Sequence, residues 1–144
     1  MPKAAIVMGS VSDLDVVKPT IDILKKFDVE VEVRVISAHR TPQMAHDFAN
    51  NAIENNIEVI ICAAGKAAHL GGVIAAYTPL PVIGLPVKSS TMDGLDSLLS
   101  MVQMPSGIPV ACVAINGGLN AGLLAIQILS VKYPNLMKKM QDYK

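Results

Sequence analysis

The chain carries the run Val59-Ile60-Ile61-Cys62-Ala63, continued by Ala64-Gly65-Lys66-Ala67-Ala68-His69-Leu70-Gly71-Gly72 and then by Val73-Ile74-Ala75-Ala76-Tyr77. Five strand-forming residues without a polar interruption read as a buried strand, the kind that parallel sheets are built from. The segment after them is nearly free of bulk, yet it holds one lysine and one histidine. Small residues let backbone approach a ligand closely, and histidine is the side chain best suited to moving protons near neutral pH. His69 is therefore the first candidate for chemistry.

Upstream, Ala4 to Met8 is a first apolar strand that ends in Gly9-Ser10-Val11-Ser12-Asp13. A strand, then Gly and Ser, then a helix start leaves backbone N–H groups facing the loop, which favours a phosphate. An ordinary turn with Ser12 or Asp13 as N-cap fits the same spacing, and both readings stand. The helix that follows places Leu14, Val17, Ile21 and Leu24 on one face, with Pro19 implying a kink or a start near Lys18. Glu30 to Ile36 alternates polar and apolar, as a less central strand does. It ends in Ser37-Ala38-His39-Arg40-Thr41-Pro42, where Thr41 is the expected N-cap and Pro42 the first helical residue. Arg40 suits a bidentate contact to phosphate, or else a solvated charge. His46, on the helix from Pro42 to about Asn55, is expected at the surface.

Downstream, Pro79-Leu80-Pro81 leads into the strand Val82–Leu85, and Pro86-Val87-Lys88-Ser89-Ser90 follows. Gly94 to Met104 reads as a helix with Leu95, Leu98, Leu99 and Val102 on one face. Ile108 to Ile115 reads as a fifth buried strand. Asn116-Gly117-Gly118 turns into a long apolar helix from about Asn120 to Val131, and a short helix runs from Pro134 to about Tyr143. The basic pair Lys138-Lys139 suits the second half of that helix. Five strands alternating with helices argue one α/β domain over residues 1–144, with a parallel sheet and right-handed crossovers. Binding crevices of such sheets lie at the carboxyl ends of the strands. Five small or polar loops fall there: Gly9–Asp13, Ser37–Thr41, Ala64–Gly72, Pro86–Ser90 and Asn116–Asn120.

Composition narrows the classes. Of 144 residues 51% are hydrophobic but only 3% aromatic, with no Trp, so the core is built from aliphatic residues and Met. Twelve basic and twelve acidic residues cancel, which offers no field for nucleic acid or an anionic membrane. No segment reads as a membrane span or secretory signal. Cys62 and Cys112 read as buried hydrophobes in a reducing cytosol, and no metal-ligand spacing appears. A mean hydropathy of +0.44 is high and points to apolar surface buried between subunits.

Met8-Gly9-Ser10-Val11-Ser12-Asp13, Ser37-Ala38-His39-Arg40-Thr41-Pro42 and Ala67-Ala68-His69-Leu70 are followed by Ser97-Leu98 and by Val102-Gln103-Met104-Pro105-Ser106-Gly107-Ile108-Pro109-Val110. Together they closely resemble the N5-carboxyaminoimidazole ribonucleotide mutase family of purine biosynthesis, over essentially the whole chain. The resemblance implies a three-layer αβα sandwich with a flavodoxin-like or Rossmann-like sheet, assembled as a cytoplasmic homo-octamer. It implies transfer of a carboxylate from the exocyclic N5 of an aminoimidazole ribonucleotide to ring carbon C4, through released carbon dioxide, with no metal, ATP or organic cofactor. Ser10, Asp13 and Arg40 match the family's ribonucleotide-binding positions. His69 is the expected proton shuttle, with His39 in a positioning role. Gly9, Ser12, Ser37, Ala38, Gly65, Ala67, Ala68 and Leu70 complete the expected substrate site.

Three features are this chain's own. Lys66 stands where the mutase branch often has Gly, and is either solvated or a contact to a carboxylate. Gly71 stands where Pro is common. The loop Asn116–Asn120 is about two residues shorter than usual. A sister branch of 5-aminoimidazole ribonucleotide carboxylases resembles Gly-Arg-Ser-Asn in the glycine-rich loop, whereas this chain keeps Ala67-Ala68-His69-Leu70. A flavin-binding module would share the topology but wants more aromatic residues to stack the ring. A non-catalytic nucleotide-binding or oligomerisation module would follow if His69 were only a loop residue.

Overall fold

The computed structural model describes residues 1–90 and 92–144. Five strands, β1 (Lys3–Met8), β2 (Glu30–Val35), β3 (Val59–Gly65), β4 (Val82–Val87) and β5 (Ala111–Cys112), lie in the order β2-β1-β3-β4-β5. All neighbouring pairs are parallel. This is the flavodoxin-like order, in which the chain reverses its direction of winding between β1 and β3. The helices are α1 (Leu14–Lys26), α2 (Pro42–Asn51), α3 (Leu70–Tyr77), α4 (Leu95–Val102), α5 (Gly118–Ser130) and α6 (Pro134–Tyr143).

Successive strand residues point to opposite faces, so each central strand feeds two cores. Ile6, Met8, Ile61, Ile83 and Leu85 pack with Val17 and Leu24 of α1, Ile126 and Leu129 of α5, and Leu136 of α6. Val7, Ile60 and Cys62 pack with Phe48 of α2, Leu70 and Ile74 of α3, and Met101 of α4. The three layers follow from strands that are apolar on both sides. At the α1–α5 contact the helices meet through Gly118, where a Cβ would collide with the Val16 carbonyl oxygen. Thr20, buried on α1, donates its hydroxyl to the Gly118 carbonyl at 2.6 Å, so this close crossing leaves no polar atom unpaired.

Several sequence expectations are corrected. α1 starts at Leu14 and runs through Pro19, whose missing N–H strands only the carbonyl of exposed Asp15. Leu14, expected in the apolar face, is exposed at the first turn. α2 ends at Asn51 rather than Asn55; the chain leaves it through turns and left-handed Asn56. α4 covers Leu95–Val102, α5 starts at Gly118, and Leu99 and Val102 are exposed. The fifth strand is the largest miss. Only Ala111 and Cys112 pair with β4, and neither is fully buried. Pro109 lacks the N–H a ladder needs, and an edge position demands pairing on one side only.

Candidate active site

Register puts the loops together. Met8 lies opposite Val35 and Ala63, and Gly65 lies opposite Val87, so β2 and β1 end at one level and β3 and β4 run two residues further at the same end of the sheet. Gly9 N–H then donates to the Ala63 carbonyl at 3.0 Å, which ties the first loop to the end of β3. The loops enclose a cleft of about 720 Å³ at the switch point. Gly9, Ser10, Ser12, Asp13, Ser37, Ala38, His39, Arg40, Gly65, Ala67, His69 and Leu70 all line it. Of the expected site residues Ala68 is the exception. It is 2% exposed and packs into the core under α2 and α3. The loop 116–120 also stays out of the cleft.

The first loop forms a single 3-10 turn, Val11–Asp13, capped by Ser10. Asp13 turns back to accept the Ser10 N–H at 3.2 Å, and the Ser10 hydroxyl accepts the Ser12 N–H at 3.3 Å. Asp13 N–H donates to the Ser10 carbonyl. Of the two readings of this loop the capped turn is the one observed, with Ser10 rather than Ser12 or Asp13 supplying the cap, so the free N–H reading is corrected: only Val11 N–H lacks an internal acceptor among the described residues. What the loop offers a ligand is the pair of hydroxyls of Ser10 and Ser12, 2.9 Å apart, and one carboxylate. Burial pushes the Asp13 carboxyl up, and the Ser10 N–H only partly offsets it.

The second loop is held by its own hydroxyls. Thr41 Oγ1 donates to the Ser37 carbonyl at 2.9 Å and accepts the Ser37 N–H at 3.1 Å. Thr41 sits at the N-cap of α2, with Pro42 first in the helix as expected, but its side chain closes the loop rather than capping. Arg40 N–H donates to Ser37 Oγ at 3.1 Å. This winding presents His39 to His69. Their Nε2 and Nδ1 atoms are 3.0 Å apart, and the rings meet edge to face with centroids separated by 5.2 Å. One of those two nitrogens must carry the shared proton, so each ring sets the tautomer of the other. His46 lies away from this pair, with its ring against Tyr77.

His69 is also the N-cap residue of α3, so what the sequence suggests is one long loop is a strand end, a four-residue turn and a first helical turn. Lys66 stands in that turn with φ of 56°, a left-handed conformation that explains why glycine suits the position. At Gly71 a Cβ would sit 3.6 Å from Cys62 Cβ, an ordinary contact, so the position has room for a Cβ.

Sequence reasoning missed the support supplied by Asn116. It accepts the Lys88 N–H on Oδ1 at 2.8 Å and donates its own N–H to the Pro86 carbonyl, fixing the loop after β4 at the cleft wall. Its place after an apolar run and before Gly117-Gly118 was the available signal, since asparagine tolerates the left-handed conformation it adopts here, with φ of 58°. Val35 and Met44 add lining from outside the marked loops. Burial pushes the Cys62 thiol up to about 12 and raises Cys112 as well, which disfavours the thiolate at both.

Fold and site together define a doubly wound α/β protein with a hydrogen-bonded histidine pair in the cleft at the switch point of its sheet. The chain belongs to the AIR carboxylase family, whose model matches residues 3–144. It is 58% identical over its whole length to a protein of Pyrococcus abyssi named N5-carboxyaminoimidazole ribonucleotide mutase, covering 83% of that protein. A Thermotoga maritima protein of the same name is 56% identical, again over the whole chain and 84% of the relative. The crystal structure of Treponema denticola PurE superposes with a TM-score of 0.90 at 28% identity, covering 99% of this chain and 89% of that one. No helix among the described residues is long and apolar enough to cross a membrane.

Proposed function

We propose that this chain converts N5-carboxyaminoimidazole ribonucleotide to 4-carboxy-5-aminoimidazole ribonucleotide in purine biosynthesis. The observation that carries the proposal is the His39–His69 hydrogen bond, set in a cleft that also presents Arg40, Ser10, Ser12 and Asp13. Arg40 and the two serine hydroxyls suit the 5′-phosphate, and the Asp13 carboxylate suits ribose hydroxyls. The proton work has two steps. Protonating N5 of the carbamate lets the C–N bond break and releases carbon dioxide from a neutral aminoimidazole. C4 then attacks the trapped gas, and the proton left on C4 must be taken away. A group that gives one proton and takes one back serves both steps.

The pair favours sharing that work. A proton leaving the outer nitrogen of one ring is replaced by transfer along the 3.0 Å contact, so neither ring has to return to solvent between steps. This modifies the expectation of His69 acting with His39 as a mere prop. Gly65, Ala67 and Leu70 line the cleft with the histidines, and the two small residues leave room there for carbon dioxide. The same proposal includes a cytoplasmic homo-octamer, supported by exposed apolar side chains on β2 (Val33, Val35) and α4 (Leu95, Leu99, Val102).

The test offers the purified protein either the N5-carboxy substrate, or aminoimidazole ribonucleotide with bicarbonate. Turnover of the first without added bicarbonate is expected. Turnover of the second alone would overturn the mutase reading in favour of direct carboxylation. Arg40→Ala is expected to raise KM at least tenfold with a smaller change in kcat, and an unchanged KM would remove Arg40 from the phosphate.

A further inference from the structure

We propose that Lys66 is a specificity residue of the cleft, binding the carboxylate of the ribonucleotide ligand beside the histidine pair. The proposal rests on the ribonucleotide reading and deepens it. Six non-glycine residues of the described chain have positive φ, and four of them are Asp or Asn: Asp28, Asn56, Asp93 and Asn116. Those types tolerate the left-handed region because their short polar side chains bond locally. Lys66, at φ 56°, has no such excuse; a lysine there stores backbone strain at a cleft wall. Its side chain is exposed, so packing does not account for it.

Charge in the cleft gives an independent argument. Three cations line it, Arg40, Lys66 and Lys88, against the single carboxylate Asp13. Lys88 lies 3.8 Å from Asp93, whereas Arg40 and Lys66 make no ion pair among the described residues. Asp13 is engaged with the Ser10 N–H and forms no ion pair with Lys66. The cleft therefore holds two unpaired cations on two different loops. A ligand with two separate anionic groups fits that arrangement, and a carboxylated ribonucleotide has a phosphate and a carboxylate. Arg40, on the loop beside the serine hydroxyls, takes the phosphate. Lys66, three residues before His69 on one turn, is left for the carboxylate, next to the rings that handle its release and return. The ammonium is a mobile point charge on a four-carbon stem, suited to following a carboxylate that moves from N5 to C4.

Calorimetric titration separates the two anionic groups. Each protein is titrated with 4-carboxy-5-aminoimidazole ribonucleotide and with 5-aminoimidazole ribonucleotide, which has the phosphate but no carboxylate. Lys66→Met and Lys66→Gly are expected to weaken the first about tenfold, as loss of a charge-assisted contact does, and the second less than twofold. Lys66→Arg is expected to retain most of the affinity. Agreement between the Met and Gly variants assigns the effect to charge, because only Gly relaxes the backbone. Equal weakening of both ligands, or of neither, would overturn the assignment while leaving the ribonucleotide site intact. A wild-type protein that bound neither ligand would sink the functional reading together with it.

Discussion

The two ends of the sheet follow opposite rules. At the amino ends of the strands, charges are paired. Lys3 bridges Glu32 at 3.1 Å and Glu30 at 3.7 Å, and donates to the Asn55 carbonyl. Glu58 accepts from Lys132 and from the Tyr133 hydroxyl, each at 2.7 Å, and Lys139 meets Asp28 at 2.6 Å. At the carboxyl ends Arg40 and Lys66 make no ion pair among the described residues, Asp13 is buried with its carboxyl raised, and a lysine occupies a left-handed turn. One end is built to hold strands in register, and the other keeps its groups available to a ligand. The lesson is that unsatisfied electrostatics, more than any single motif, marks the functional end.

Breaking the site end should hurt turnover and spare the fold. His69→Asn and His39→Asn are each expected to lower kcat by about 10²–10⁴ with little change in melting temperature, as loss of general acid–base catalysis does. A large loss in one variant alone would place the proton work on that ring. Breaking the other end should do the reverse. Glu58→Gln is expected to cost on the order of 1 kcal/mol, discounted for partial exposure of the carboxylate, with turnover unchanged. Burial pushes Glu58 up, but its bonds to Lys132 and Tyr133 outweigh that and leave it below its ordinary value. The sign follows: the stabilisation is present above the ordinary glutamate range and is lost as pH falls through the lowered value. The wild type and Glu58→Gln should therefore converge in chemical denaturation at acid pH.

Two smaller effects test whether the site end gives up stability. Lys66→Gly is expected to stabilise the protein by about 1 kcal/mol or less, because glycine accepts the left-handed turn, even as it weakens the carboxylated ligand. An unchanged or lower melting temperature would show that the turn stores no strain. Asp13→Asn is expected to gain roughly a few tenths of a kcal/mol near neutral pH while losing ribonucleotide affinity. With a raised carboxyl, the folded chain holds its proton longer than the unfolded one, so stability falls as pH rises above the ordinary aspartate range. The gain in Asp13→Asn should appear over that rise and vanish below it. A constant difference would point to packing rather than charge.

Much of this was legible in the chain. β1 beyond Lys3, β3 and β4 are apolar runs of strand length, a pattern that suits strands covered on both faces. Pro42 marked its helix start, and Pro134 marked the last one. The loop motifs named His39, Arg40, His69, Ser10 and Asp13, all of which line one cleft. β5 was overread because apolar content does not distinguish a ladder strand from a segment packed against α4. Ala68 was overread because a small residue in a motif serves equally well as packing. The N–H groups of residues 9–13 were overread because the capping box depends on where the Asp13 side chain turns.

The sequence by itself determined the element types, the parallel class and the list of reactive side chains, because periodicity, prolines and residue chemistry are local properties. Tertiary structure alone decided that Met8, Val35, Ala63 and Leu85 stand side by side near the carboxyl end of the sheet, and so that His39 and His69, thirty positions apart, share a hydrogen bond. Strand order and register are set by how the two apolar faces bury together, a cooperative choice that no single segment encodes.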